Sequence, residues 1–320
     1  MPKDTSLMTK PKTTASKTLQ NQASRHKLWA YGLLSAAALF WAGNFVMGRG
    51  VAEDVPPMAL SFWRWLLAAL IILPFAWPHL QKDAATIRGH LPYFLLMGFL
   101  GGANFNALTY LALHTTTANN AFILNASNAL FILLATAIIH RLKPSKGEVI
   151  AIVMAIVGMV LIITKGNPAD LLNFSIKSGD LLVILSIISW AIYTALLKNR
   201  PSTHPLTFAN LTFASAALVL LPVMLIEHLF FTPLSLTQTS GAAIMFAALF
   251  PGLLAYVFYN RGVELIGANA AGITIYMVPV FGILLSAVFL NETIETYHLS
   301  GFALIISGVI ISALKPSDKK

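Results

Sequence analysis

The chain contains no cysteine. Disulfide staples, thiolate metal sites and a cysteine nucleophile are therefore excluded. Charge is nearly as scarce. Asp, Glu, Lys and Arg make up 10% of the 320 residues, against about 25% in a soluble domain. The acids number only 12, and none falls in the middle of an apolar run: Glu148, Asp180 and Glu264 all stand near run ends. Paired carboxylates for hydrolysis are absent, and so is the buried carboxylate common in proton-driven carriers. There is no HExxH motif, no histidine box and no glycine-rich phosphate loop ending in Gly-Lys. Nothing calls for a cofactor or a metal, and nothing points to an enzyme.

What fills the chain is apolar. Hydrophobic residues account for 57% of it, and the mean hydropathy is +0.74. A water-soluble fold could not keep so much apolar surface from water, so the composition indicates a membrane protein with the lipid bilayer as its partner. The net charge of +9 is not a nucleic-acid signal, because the basic residues sit in short segments between long apolar runs. Residues 1–28 read as a disordered, basic cytoplasmic tail. The apolar run after it is longer than the roughly 7–15 residues of a secretory signal. It therefore reads as an uncleaved first helix, with an organellar transit peptide as the competing reading.

A spanning helix needs roughly 17–25 mostly apolar residues. Ten runs qualify: 29–50, 57–77, 92–112, 117–139, 147–164, 178–197, 205–226, 241–262, 268–290 and 297–314. With the N-terminus inside, 17 of the 21 Lys and Arg fall on the cytoplasmic side, and only Lys165 and Lys177 fall outside. The outer loops collect acids instead: Glu53, Asp54, Glu227, Glu292 and Glu295. This bias predicts an inner-membrane protein with both termini cytoplasmic, which requires an even number of spans.

The two halves resemble each other at an offset of about 150 residues. Phe40-Trp41-Ala42 answers Ser189-Trp190-Ala191, and Ile156-Val157-Gly158 answers Ile306-Ser307-Gly308. Each half holds five spans, so the second must lie upside down relative to the first. The expected fold is an all-α integral membrane protein of ten transmembrane helices in two inverted five-helix repeats. The expected boundaries are 29–164 for the first repeat, 165–177 for an external linker, 178–314 for the second repeat and 315–320 for a cytoplasmic tail.

Three stretches carry a family resemblance. Residues 39–74 hold Trp41, Asn44, Phe45, Pro57 and Arg64 in sequence. Residues 178–198 hold Gly-Asp, then Trp190-Ala191 and Tyr193. The last two spans read MVPVFGILLSAVFLNET and GFALIISGVII. In this order and spacing the chain resembles the drug/metabolite transporter superfamily, EamA type, over about residues 30–314. The resemblance implies a ten-helix carrier that commonly exports metabolites, amino acids or drugs. One departure stands out: the first half reads ASNALF where the family often has Pro-Val-Phe.

Polar side chains inside spans are costly unless they face protein or a water-filled cavity. Asn120, Asn125, Ser127 and Asn128 share an arc of about 160° on the fourth span. They read either as pathway lining or as hydrogen-bonding glue between helices. Asn106, Tyr110 and His114 form one stripe. Trp41, Asn44 and Gly48 form another, as do Ser186, Trp190 and Tyr193. Gly252, Tyr256, Tyr259 and Asn260 gather on the eighth span, and Gly272, Tyr276 and Pro279 on the ninth. The expected solute-binding residues are Trp41, Asn44, Arg64, Asn106, Tyr110, Asn120, Asn128, Trp190, Tyr193, Tyr256, Asn260 and Tyr276. Such an amide-and-aromatic lining suits an amphipathic or aromatic organic molecule. Arg64 lies about 10 Å below the outer end of its span. It reads either as an anchor for an anionic group or as a snorkelling structural residue. Pro251 and Pro279 read as hinges or as static kinks.

The function expected is a secondary transporter of small organic solutes, working by alternating access and existing as a monomer or homodimer. With no carboxylate at mid-membrane, movement is expected to be facilitated or only weakly proton-coupled. A lipid-linked sugar flippase is a variant left open. A membrane-embedded enzyme or a channel is the competing class, and either would need a reactive cluster or a charged pore ring.

Overall fold

The computed structural model describes residues 12–51, 55–113, 124, 127–164, 166–167, 169, 178–290 and 295–314. Among these the regular elements are all helical. Five described helices are each long and apolar enough to cross a membrane: Pro57–Lys82, Leu91–Thr109, Gly179–Asn199, Pro205–Phe230 and Gln238–Ile266.

The chain forms α1 (Lys12–Val51), α2 (Pro57–Lys82) and, after a short helix Ala84–Gly89, α3. α3 consists of Leu91–Gly98, a π-helical turn at Phe99–Asn104 and Phe105–Leu113. Then come α4 (Asn128–His140), α5 (Lys146–Ile163), α6 (Ser178–Leu196) and α7 (Pro205–Phe230). α8 consists of Gln238–Ala247, a second π-helical turn at Ala248–Leu254 and Ala255–Ile266. α9 consists of Ala268–Thr274 and Met277–Leu290, and α10 is Thr296–Leu314.

One expectation is corrected. The polar segment expected to be disordered is helical from Lys12. It contains neither Pro nor Gly between Lys12 and Tyr31. It also continues a helix that the apolar run has already nucleated, so each added residue gains a hydrogen bond without a new nucleus.

The packing repeats the duplication in the sequence. α2 packs on α7, α5 on α10, and α4 meets α9. α1 packs on α8 and α9, while its counterpart α6 packs on α3 and α4. Exchanging the halves leaves this set of neighbours unchanged. Even the two π-helical turns fall at equivalent places in α3 and α8.

Small residues set the closest crossings. A methyl group added at Gly158 would lie 2.7 Å from the Gly301 carbonyl oxygen, and one at its repeat partner Gly308 would lie 2.7 Å from that of Ala151. Outward-facing Ile138, Leu181, Leu229, Phe230 and Val288 stay exposed, as an apolar solvent permits.

The helix ends are closed in a paired fashion. α2 starts at Pro57 with no side-chain cap of its own. The Glu227 carboxylate, near the end of α7, accepts from Met58 N at 3.1 Å and Ala59 N at 2.8 Å. At the opposite end Asp83, which follows α2, accepts from His204 N at 2.9 Å at the start of α7. Each helix of the pair thus supplies an acid to the positive N-terminal end of the other.

Candidate functional site

The two π-helical turns supply the backbone of the site. A π turn leaves main-chain carbonyls without their usual helical partners. In α3 three consecutive carbonyls find side-chain donors. Ser189 Oγ donates to Leu100 O at 2.9 Å, the Tyr256 hydroxyl donates to Gly101 O, and Asn106 Nδ2 donates to Gly102 O at 2.9 Å. Asn104 Nδ2 in turn donates to Ser189 Oγ at 3.0 Å. In α8 the Pro251 carbonyl accepts twice, from Trp41 Nε1 at 3.1 Å and from Arg64 Nη2 at 3.1 Å. The two π turns therefore tie α3 to α6 and α8, and α8 to α1 and α2.

Around these bonds lies a box of aromatic rings. Trp41 meets Trp190 edge to face at 5.4 Å and Tyr259 at 5.3 Å. Trp190 also touches Tyr193 at 5.2 Å, Tyr256 at 5.4 Å and Phe105 at 5.4 Å. Trp65 closes one side, 4.7 Å from Tyr256 and 5.3 Å from Phe213. The Tyr193 hydroxyl donates to Asn260 Oδ1 at 2.7 Å, and Thr194 and Tyr259 share a bond at 3.3 Å. Gly101 is required beneath the box, because a methyl group there would overlap the Tyr193 ring.

Several polar atoms of the box are buried with no partner: Trp190 Nε1, Trp65 Nε1 and Arg64 Nε. Unpaired buried polar atoms are costly, and native structures keep few of them. The Arg64 guanidinium lies 4.8 Å over the Trp65 ring. Among the described residues no carboxylate is paired with it. The arrangement offers flat apolar faces, two indole N–H groups and one cation. It can stack on a planar or amphipathic molecule and donate hydrogen bonds to it.

The structure thus brings together Trp41, Arg64, Trp190, Tyr193, Tyr256 and Asn260 of the expected residues, while Asn44 stands half-buried on α1 with its Oδ1 unpaired. Asn106 is spent on its own helix at Gly102. Asn128 is buried in the first turn of α4, where α4 packs on α6. Tyr276 lies elsewhere, in a second apolar cluster with Ile152, Phe302 and Ile305. α9 breaks at Ile275 and Tyr276, so the helical face drawn through Gly272, Tyr276 and Pro279 does not exist as one face. Asn120, Asn125, His114 and the Tyr110 side chain lie outside the described residues.

Trp65 joins the box although no motif assigns it a role. Tyr259 is visible on the same helical face as Tyr256, and Trp65 only as the neighbour of Arg64. No sequence signal foretells the π turns beyond Gly101-Gly102 and Pro251.

The model of the EamA-like transporter family matches the chain twice, over residues 28–164 and 177–314. The chain is 28% identical to "Uncharacterized transporter YyaM" of Bacillus subtilis (strain 168), over 88% of this chain and 93% of that protein. It is 29% identical to an "Uncharacterized transporter" of Archaeoglobus fulgidus, over 88% of this chain and 96% of that one. It is 27% identical to "Uncharacterized inner membrane transporter YicL" of Salmonella typhimurium, over 87% of this chain and 93% of that protein. A crystal structure sharing 18% identity has the same fold, with a TM-score of 0.70 over 92% of this chain and 97% of that chain.

Proposed function

We propose that this chain, which belongs to the EamA-like transporter family, exports small organic solutes such as amino acids, metabolites or drugs, with the aromatic box as the place where the solute stacks. Family membership makes it a membrane transporter and not an enzyme. The observation that carries the choice of solute class is the concentration of Trp41, Trp65, Trp190, Tyr193, Tyr256 and Tyr259 around unpartnered indole donors. A bare ion gains little from such walls, whereas an aromatic or amphipathic molecule gains stacking and hydrogen bonds. The two-fold arrangement of the helices supports alternating access, in which the halves rock about this centre. The charge distribution supports both termini on the cytoplasmic side of an inner membrane. The solute and the bilayer are the partners this reading needs, and a monomer or a homodimer serves it equally.

The test is counterflow in proteoliposomes across a panel of aromatic and aliphatic amino acids, nucleobases and aromatic amines. Exchange of at least one planar or amphipathic member is expected. A folded protein that exchanges none of them overturns the reading.

A further inference from the structure

Three unpartnered donors stand on one face of α2. Ser61, Arg64 and Trp65 are spaced i, i+3 and i+4, which a helix places within an arc of about 100°. Ser61 and Trp65 are fully buried, and Arg64 is 3% exposed. Ser61 Oγ, Arg64 Nε and Trp65 Nε1 each lack a hydrogen-bond partner. Two of these donors lie beside the π turns. A methyl group built at Gly102 in α3 would sit 3.6 Å from Trp65 Nε1, and one built at Gly252 in α8 would sit 3.7 Å from Arg64 Nε. Trp65 is also a wall of the aromatic box, through Tyr256 at 4.7 Å.

The second repeat shows that the fold does not need these donors. An offset of 148 relates α2 to α7 and pairs Pro57 with Pro205 and Pro74 with Pro222. The same offset pairs Ser61 with Ala209, Arg64 with Thr212 and Trp65 with Phe213. Trp65 and Phe213 stack at 5.3 Å and 29°, so counterparts in sequence also meet in space. Ala209 and Phe213 have no side-chain donor, and Thr212 spends its hydroxyl on Phe208 O at 2.8 Å. The equivalent helix therefore packs with neither a free donor nor a charge on this face. An unsatisfied buried donor costs stability, and a buried cation without a counter-charge costs more. Arg64 bonds the Pro251 carbonyl, and among the described residues no acid is paired with it. A cost borne by one repeat alone is accounted for by a ligand that brings the missing acceptors and the missing charge.

We propose that Ser61, Arg64 and Trp65 hold the carboxylate of the solute, so that the chain takes organic carboxylates with an aromatic or amphipathic body. The inference rests on the transport reading above and narrows it to one charge class. A carboxylate has two oxygens with about four lone-pair sites, enough for three donors. Its single charge matches the single guanidinium, and the bond from Arg64 Nε becomes charge-assisted. A phosphate dianion would bring a second charge that the face does not balance. The body of the solute then lies against the box that Trp65 helps to wall.

Equilibrium dialysis against the purified protein in detergent tests the proposal. Benzoate, phenylacetate and indole-3-acetate are each compared with their amides, which keep the shape and remove the charge. At least one carboxylate is expected to bind about tenfold more tightly than its amide. If none of the three binds more tightly than its amide, the proposal is overturned. Ser61→Ala and Trp65→Phe are each expected to weaken binding of that carboxylate by about three- to tenfold. Without ligand, Ser61→Ala is expected to unfold at the parent temperature or above it, because an unsatisfied donor is removed. A Ser61→Ala protein that unfolds at a lower temperature and binds the carboxylate like the parent would assign Ser61 to the fold and overturn the three-donor site. Arg64→Gln is expected to abolish the preference for acid over amide; if it folds poorly, the Ser61 and Trp65 variants carry the test. Thr212→Ala, at the counterpart of Arg64, is expected to leave that preference unchanged, and an equal loss there overturns the assignment to α2. Counterflow with the same pairs separates the two ideas. A carboxylate that binds but is not exchanged leaves the site standing and fails the transport reading. Amides exchanged as well as their acids leave transport standing and fail the site.

Discussion

Trp41 and Trp190 hold equivalent positions in the two repeats and meet edge to face, with ring centroids 5.4 Å apart at an interplanar angle of 88°. The contact brings the repeats together at their own counterparts. The two rings differ in one respect. Trp41 Nε1 is spent on the Pro251 carbonyl, whereas Trp190 Nε1 has no partner. The duplicated scaffold is therefore symmetric in shape and asymmetric in its free hydrogen-bond donors.

Arg64 is expected to serve ligand binding more than stability. Its Nη2 bond to Pro251 and its stacking on Trp65 fix the guanidinium, but no described acid is paired with it. Arg64→Gln is expected to cost about 1.5–3 kcal/mol, the worth of one charge-assisted hydrogen bond. It is also expected to lower exchange of anionic solutes about tenfold relative to cationic ones, or about 1.4 kcal/mol of selective binding. Equal loss for both charge classes would assign Arg64 to the fold alone.

A tight helix crossing and an open helix face predict opposite signs for two kinds of glycine. Gly158→Ala and Gly308→Ala each push a methyl group to 2.7 Å from a carbonyl oxygen of the facing helix. Each is expected to cost roughly 1–3 kcal/mol. Gly282→Ala meets nothing within 4 Å, and in a helix it is expected to stabilise by up to about 1 kcal/mol. Thermal unfolding in detergent checks the ranking.

Glu227 is expected to matter more than its place near a helix end suggests. It satisfies two N–H groups at the start of α2. Glu227→Ala is expected to cost about 1–2 kcal/mol, as for loss of a good N-cap. Glu264, exposed and ion-paired with half-buried Arg200 at 3.5 Å and exposed Arg261 at 2.7 Å, is the control. Glu264→Gln is expected to cost less than about 1 kcal/mol. The same unfolding assay compares the two.

His204 links stability to pH. Its ring is largely exposed, yet desolvation beside its neighbours lowers its pKa, the stacked His79 ring at 3.5 Å lowers it further, and Asp83 opposes both. Its Nδ1 accepts from Leu206 N at 3.2 Å, which requires a neutral ring. The unfolded chain then binds a proton before the folded one does. Stability is full above the ordinary histidine value of about 6.5 and falls as the pH drops from there through the lower folded value. His204→Asn keeps a capping acceptor and removes the proton site. The unfolding temperature of this variant is expected to vary less between about pH 7.5 and 5.5 than that of the parent. An identical pH response would place the effect elsewhere.

Much of the fold is legible in the sequence, because span length is set by the thickness of the bilayer and the duplication recurs as matching residues about 150 positions apart. The site is legible where a helix is regular. Trp190 and Tyr193, and likewise Tyr256 and Asn260, lie on faces that a simple helical wheel finds. The wheel fails where the helix is not regular. The break at Ile275 and Tyr276 turns Tyr276 into a separate cluster. The π turns depend on donors from other helices, Ser189 and Tyr256 among them, and no local pattern encodes those. Trp65 is hidden for a similar reason: only the crossing of α2 with α7 and α8 shows which way it faces. Glu227 reads as a loop acid, although Pro57 beginning α2 without a capping side chain leaves N–H groups in need of an acceptor.

The central claim is that the solute binds against the aromatic box, and one comparison tests it most directly. For a solute that the parent exchanges, KM is measured in Trp190→Phe and in Trp77→Phe. Trp190 is buried with an unpartnered Nε1, while Trp77 is 55% exposed on the outer face of α2. Trp190→Phe keeps an aromatic ring in the box and removes the free indole donor. The account predicts that Trp190→Phe raises KM about tenfold, near 1.4 kcal/mol, while Trp77→Phe leaves it unchanged. A Trp190→Phe protein that carries the solute with the parent KM would contradict it.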